Sequence, residues 1–541
     1  MKGTTHPMEK QDNGYWTISL PVDPGATYFY RLDDEITCPD PASFNQPEGV
    51  HGPSAVIDRH FHWTDGDWKG IPLSNKIIYE LHTGAFSPSH DFEGIIQRLD
   101  YLAELGINAI ELMPLAQFPG DRNWGYDGVY PFAIQNSYGG LAGFQRLVDA
   151  AHAKNIAIIV DVVYNHFGPE GNYLEYFAPY FTDKYQTPWG KAINFDDQWS
   201  DGVRNYFLQN ARIWLEDLHV DALRLDAVHA IWDFSAVHFM QQLKEMTLDI
   251  ERRCNCKKEL IAEIDLNDPR YINPISKGGY GLDGQWIDEF HHALRALLTG
   301  ETDAYYEDFG QIGHLEKAFR NTYVYDGTYS VHRKRTFGGR ADGNSYDQFI
   351  VFAQNHDQVG NRPIGDRLTH YLSFEQLKLA AATVLLSPYV PLIFMGEEYG
   401  EENHFPFFGV FGETGKIEAS LSWKINDEPG VTIFRLYRHL IQFRQTRPAM
   451  QGRTRDTMIV HPSTGNTLPF ERKILNDHLF IWLHFGDQPV ALDNITGHYL
   501  GKIFDTADTE WGGPGAGPLS EISPGQPMMI APHSAVVYEK R

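Results

Sequence analysis

Val220-Asp-Ala-Leu-Arg-Leu-Asp226 is a short apolar run that ends on a carboxylate. Its length suits a buried strand, and strand alternation puts Arg224 and Asp226 on one side of it. Three other stretches share this design. Ile156-Ala-Ile-Ile-Val-Asp-Val-Val-Tyr-Asn-His166, Glu259-Leu-Ile-Ala-Glu263 and Gln348-Phe-Ile-Val-Phe-Ala-Gln-Asn-His-Asp357 each run apolar and then deliver charged or polar groups.

Four more candidates complete the pattern: Lys76-Ile-Ile-Tyr-Glu-Leu81, Ile107-Asn-Ala-Ile-Glu-Leu112, Gly284-Gln-Trp-Ile287 and Pro391-Leu-Ile-Phe-Met395. Helical spacing fills most gaps between them. Phe92, Ile95, Ile96, Leu99 and Leu102 recur on one face, and Gly106 can end that helix. Phe144, Leu147, Val148 and Ala151 mark another, and a third lies near residues 203–218. Strands that alternate with helices pair in parallel, so the chain reads as α/β. Eight such units close most simply into a (β/α)₈ TIM barrel. A doubly wound open sheet is the alternative, but no glycine-rich phosphate turn supports it. The longest apolar stretch, residues 377–396, contains Lys378, Pro388 and Pro391; it reads as a helix, a break and a strand, not a membrane span. Residues 1–70 read as a small N-terminal β-sandwich-like module, apparently shortened. Residues 71–448 form the barrel with loop insertions, and residues 449–541 a C-terminal β-sandwich.

The chain of 541 residues is 42% hydrophobic and has room for a large core. Its formal charge of −26 argues against nucleic acid and against anionic membrane surfaces, and suits a neutral substrate. The three cysteines, Cys38, Cys254 and Cys256, make no disulfide framework and fit a reducing compartment. Cys254-Asn-Cys256 has no second pair at ligand spacing. The start shows no apolar signal region, so a cytoplasmic protein is expected. No cofactor and no obligate protein partner are expected.

In such barrels the chemistry sits where strands end. Asp226 ends candidate strand four, Glu263 strand five, and Asp357 follows strand seven. Glycoside cleavage uses two carboxyls, about 5 Å apart in a retaining enzyme and further apart in an inverting one. The acid must be protonated near neutral pH, so its pKa must be raised. Arg224 would keep Asp226 ionised. Any one of these acids alone reads more readily as a cap or an ion-pair member. Three at three strand ends, beside Arg224, His166 and His356, do not. In the loop Asn123-Trp-Gly-Tyr-Asp127, Trp124 or Tyr126 offers a ring for stacking on a sugar, or for packing.

In this order the segments resemble the signature regions of the α-amylase superfamily of glycoside hydrolases, over roughly Ile77 to Gly396. The resemblance implies Asp226 as nucleophile, Glu263 as general acid/base and Asp357 as transition-state stabiliser. It implies that Arg224, His166, His356 and Tyr126 line the subsite of the reacting glucose. A narrower resemblance, to the malto-oligosyltrehalose trehalohydrolases, rests on Asp161-Val-Val-Tyr-Asn-His-Phe-Gly-Pro-Glu-Gly-Asn-Tyr-Leu174, Ile261-Ala-Glu-Ile-Asp-Leu-Asn-Asp-Pro-Arg270 and Gln354-Asn-His-Asp-Gln-Val-Gly-Asn-Arg362. Pro39-Asp-Pro-Ala-Ser43 and Gln46-Pro-Glu-Gly-Val-His-Gly-Pro-Ser54 extend it. It implies hydrolysis of the α-1,4 bond next to the terminal trehalose of malto-oligosyltrehalose. Trp124, Asp127, His229, Asp265 and Arg362 join the substrate-binding candidates on these terms.

The chain departs from these patterns at named positions. Where α-amylases carry Lys-His after the nucleophile segment, this chain has His229 and Ala230, which fits a changed leaving side. Ile264 stands where the narrower family has a small polar residue. Asn165 occupies the place where amylases bind a structural Ca²⁺. One Asn falls far short of six to eight oxygen ligands, and no metal is expected. A branching enzyme or an α-amylase is the alternative reading, and a non-catalytic glycan-binding barrel a more distant one.

Overall fold

Eight short strands close on one another in parallel: β1 (Ile78–Leu81), β2 (Ala109–Leu112), β3 (Ala157–Val162), β4 (Ala222–Leu225), β5 (Glu259–Ala262), β6 (Gly284–Trp286), β7 (Phe349–Phe352) and β8 (Val390–Phe394). β8 pairs with β1, with Leu392 against Ile78, so the barrel has no free edge. This computed structural model describes residues 4–407, 419–494, 496–515 and 517–541. All eight expected strands are present.

The strand residues sort by alternation. Ile78, Ala109, Ala157, Ile159, Ala222, Ile261, Trp286, Ile350, Phe352, Val390 and Leu392 form a buried cluster that fills the barrel interior, with Leu73 below it. The intervening residues, including Tyr79, Ile110, Ile158, Leu223, Leu260, Val351 and Ile393, belong to a second core shared with the surrounding helices. Two residues beyond the interior set on each of six strands, alternation places Glu80, Glu111, Asp161, Arg224, Glu263 and Asp288 at the C-terminal mouth. An apolar plug therefore carries a charged layer, and the site is built on that layer.

The helix expected from Phe92 is split into Phe92–Ile96, capped by Asp91, and Leu99–Leu105. Gly106 ends it in the left-handed region at φ 99°, as its position suggested. The stretch from residue 377 resolves into the C-terminal part of helix Phe374–Leu386 and strand β8. No described helix is long and apolar enough to cross a membrane.

The flanks differ from each other. In place of a sandwich-like N-terminal module, the described residues before 70 make three two-stranded ladders, of which Glu9–Lys10 with Trp16–Thr17 is one. Alternation alone suggested longer strands, but Tyr15, Trp16, Ile18, Leu20 and Val22 stay exposed because no second sheet covers them. At the other end, a six-stranded antiparallel sheet runs in the order Met458–Val460, Thr467–Ile474, Asp477–His484, Ser534–Lys540, Leu500–Asp505, Glu521–Ile522. The pair Val490–Asp493 and Pro527–Ile530 packs on one face over a core that includes Phe480, Trp482 and Tyr538. The other face joins the main core through Phe470, Leu479, Ile481 and Val537.

Candidate active site

Arg224 organises the mouth of the barrel. Its side chain is 0% exposed, and its guanidinium lies 4.3 Å from the centre of the Trp286 ring. Nη1 donates to Asp226 Oδ1 at 2.9 Å and to Asp161 Oδ2 at 2.8 Å, and Nη2 stands 3.7 Å from Glu263 Oε2. Three carboxyls from β3, β4 and β5 thus share one buried cation. A buried guanidinium persists only when its charge is compensated, and these acids hold its pKa well above the usual value despite burial.

The three acids do not share one environment. The second oxygen of Asp226 accepts from Asn165 Nδ2 at 2.7 Å, and the same amide reaches the Asp226 carbonyl at 2.7 Å. Both Asp226 oxygens therefore have a donor. Glu263 is 15% exposed at its side chain. Burial, with Asp226, Asp357 and Asp288 nearby, outweighs Arg224 and pushes its pKa up to about 8. The backbone N–H of Ala227 donates to Glu263 Oε2, so the carboxyl is held in place. Asp161, buried beneath, is pushed up to about 6 by burial and by Asp226, against the pull of Arg224.

His356 anchors the other side. Its Nδ1 donates to Glu80 Oε1 at 2.5 Å and its backbone N–H to Glu80 Oε2 at 2.8 Å. Its Nε2 donates to the Tyr126 hydroxyl at 2.7 Å, and that hydroxyl donates to Asp161 at 2.6 Å. Both ring nitrogens thus carry protons. Burial opposes the charge, but Asp357 and Glu80 overcome it and raise the His356 pKa to about 9. Asp357 lies 3.5 Å from His356 Nε2, accepts from Asn361 Nδ2 at 3.2 Å, and is 37% exposed. Tyr126 stacks on His356 with ring centres 5.3 Å apart.

The remaining candidates divide by their contacts. The two ring nitrogens of His166 face the Asn165 side-chain oxygen and, at 3.0 Å, the Tyr126 carbonyl; burial holds its pKa below the usual value. Trp124 is buried rather than open: it stacks on Phe405, meets the His356 ring edge-on, and donates to the Pro406 carbonyl at 3.1 Å. It supports the site from behind and offers no free face to a sugar. Asp127 accepts from Asn123 Nδ2 at 2.7 Å. His229 Nδ1 accepts weakly from the Asp265 N–H at 3.4 Å, and the Asp265 carboxylate is ion-paired with Arg333. Arg362 is bound to Glu301 and to Asp366, each at 2.9 Å, and to the Tyr371 hydroxyl.

Several groups at the mouth were not singled out from sequence. Asn165, read from sequence only for the calcium position, donates to Asp226 Oδ2. Among the described residues no group of three or more His, Cys, Asp or Glu could hold a metal ion. Glu80, Glu111 and Asp161 lie under the site as charged members of strand-length runs, and spacing by two from Ile78, Ala109 and Ile159 was the signal that would have found them. Asp288 is pushed up to about 7 by burial and by Asp357 and Asp265. Trp189, half exposed, stacks on the His166 ring at 4.8 Å and 13° from a loop that sequence left unread.

A catalytic-domain model described as "Alpha amylase, catalytic domain" matches residues 48–189. A malto-oligosyltrehalose trehalohydrolase of Saccharolobus solfataricus is 48% identical over 81% of this chain and 81% of its own length. One from a Rhizobium species is 40% identical, over 89% of this chain and 87% of its own. Among solved structures, a putative α-amylase from Salmonella typhimurium superposes with a TM-score of 0.88 at 33% identity, covering 99% of this chain and 94% of that one.

Proposed function

Given that the chain belongs to the malto-oligosyltrehalose trehalohydrolase family of α-amylase-type glycoside hydrolases, we propose that it releases trehalose from malto-oligosyltrehalose by a retaining double displacement. Asp226 attacks the anomeric carbon of the glucose that is α-1,4-linked to the trehalose. Glu263 gives its proton to the bridging oxygen, and trehalose leaves. Glu263, now a carboxylate, takes a proton from water, which displaces Asp226 and frees the shortened glucan. Asp357 binds hydroxyls of the reacting glucose beside the His356 cation.

The observation that carries this reading is the split between two carboxyls around one cation. Asp226 has a donor on each oxygen, whereas Glu263 is raised to about 8 and so holds its proton at neutral pH. That is the division of labour a nucleophile and a general acid require. Contact of both carboxyls with the one Arg224 guanidinium supports the short separation that a retaining mechanism uses. On the leaving side we assign His229 and Asp265, the latter paired with Arg333, to the departing disaccharide. Cys38, Cys254 and Cys256 are all free thiols, which supports placing the step in the cytoplasm.

Incubation with maltotriosyltrehalose beside maltopentaose tests the substrate. Trehalose from the first, with little cleavage of the second, is expected. Equal production of reducing ends from both would make the enzyme an amylase, and longer transfer products would make it a branching enzyme.

A further inference from the structure

Three aromatic rings outside the barrel mouth have no task in this chemistry. Tyr185 sits on the hairpin Phe181–Thr187/Gly190–Ile193 in the loop after β3, and Trp232 and Phe234 sit in the loop after β4. The Tyr185 and Trp232 rings lie 5.6 Å apart and within 18° of parallel, and Phe234 is 6.0 Å from Tyr185. Trp232 is 40% exposed and Phe234 74%. Single exposed rings are ordinary, but a contiguous set fixed from beneath marks a contact surface.

The rings are held outward by what lies under them. The Asp196 carboxylate accepts from the Tyr185 hydroxyl at 2.7 Å and from the Phe234 N–H at 3.0 Å, which ties the two loops together. Between Trp232 and Phe234 the chain turns Asp233 inward. There it pairs with Arg204 at 2.7 Å and accepts from the N–H groups of Ser235 and Phe239. With Asp233 and the Phe234 backbone pinned, the neighbouring rings project to solvent. Lys184 borders them, 5.0 Å from the centre of the Tyr185 ring and 3.1 Å from Asp196.

We propose that Tyr185, Trp232 and Phe234 form an accessory platform that binds an α-1,4-glucan chain outside the catalytic cleft. Glucose rings have apolar faces that stack on flat aromatics, and Lys184 can meet their hydroxyls. The platform shares its loops with the cleft. The same hairpin carries Trp189 against His166, and the same loop leads on from His229. Three rings fall far short of the roughly 800 Å² per partner that a stable protein interface buries. A net charge of −26 opposes docking on an anionic membrane. The platform rests on the reading of the chain as a glucan-acting enzyme and adds to it a holding site for longer chains.

Native electrophoresis through gels with and without glycogen tests this, using the full chain, a Trp232→Ala/Phe234→Ala double variant and Trp232→Tyr. The wild type should be retarded by glycogen. The double variant should need roughly two- to tenfold more glycogen for the same retardation, as loss of aromatic stacking implies. Trp232→Tyr should stay near wild type, and all three should melt alike. The double variant should turn over maltotriosyltrehalose at the wild-type rate. Equal retardation of the wild type and the double variant, or none of the wild type, overturns the platform. If no trehalose is released from any substrate but the difference in retardation persists, the proposed reaction fails and the platform stands.

Discussion

The Arg224 guanidinium lies 2.9 Å from the carboxylate of Asp226, two residues further on and just past the end of β4, with no part of the arginine exposed. The same Nη1 atom serves Asp161 on the neighbouring strand, where Asp161 and Arg224 are register partners. A forked, permanently charged group is needed to meet acids on three strands at once.

Arg224→Lys should therefore be a severe change. One ammonium cannot face Asp161, Asp226 and Glu263 together. We expect kcat to fall by roughly 10²–10³-fold, the scale on which one preorganised charge donor acts. Arg224→Leu should in addition lower stability by about 3–5 kcal/mol, because it strands buried acids without a cation. Steady-state kinetics and denaturant unfolding read the two effects. A lysine variant within threefold of wild type would remove Arg224 from the mechanism.

The alkaline limb of the pH–rate profile should follow Glu263. With its pKa raised to about 8, kcat/KM should decline as pH rises through that value and the first step loses its proton donor. The stability consequence has a definite sign. Between 4.5, its usual value, and about 8 the unfolded chain releases this proton while the folded chain keeps it. Stability must then fall as pH rises across that window and level off above it. Glu263→Gln removes the loss, so its melting-temperature advantage over wild type should grow from pH 5 to pH 8.

Asn165 should matter through Asp226. Asn165→Ala deletes the donor on Asp226 Oδ2, and kcat/KM should drop roughly tenfold to a hundredfold, the usual range for a hydrogen bond to a charged group. Asn165→Asp should cost more, since it sets a second carboxylate against the first. Added Ca²⁺ should rescue neither variant. Recovery with Ca²⁺ would reinstate a metal at this position.

Glu111 offers a contrasting case. Both its oxygens are buried without a hydrogen-bond partner among the described residues, and burial with Glu80 beside it pushes its pKa well above the usual value. It is the register partner of Glu80, which the His356 cation already occupies. The folded protein should hold Glu111 neutral, so Glu111→Gln should keep activity and melt at or above the wild-type temperature at pH 8. A large loss of activity would mean that Glu111 carries a charge in the working enzyme.

The barrel was legible because each strand is short, apolar and separated from the next by helical spacing. The positions of Asp226, Glu263 and Asp357 were legible because each falls at or just beyond the end of an apolar strand-length run. The charged layer under them was harder to see. Glu80 and Glu111 interrupt apolar runs and look like blemishes until the count by two from Ile78 and Ala109 aligns them with Asp161 and Arg224. The tie from Asn165 to Asp226 was hidden because the two are 61 residues apart in sequence and meet only when β3 and β4 pair. Trp124 shows the limit of residue type as a guide, since an indole in a loop can stack on a sugar or, as here, on Phe405. At the N-terminus, alternation gave the period of a strand but not the partner that makes one.

Proton NMR of a fresh reaction on maltotriosyltrehalose tests retaining trehalose release most directly, because it reads the product and the stereochemistry in one spectrum. We expect trehalose signals to rise together with the α-anomer of maltotriose, before mutarotation supplies the β-anomer. Early appearance of the β-anomer, or glucan cleavage without trehalose, would contradict a double displacement at Asp226 beside a trehalose leaving group.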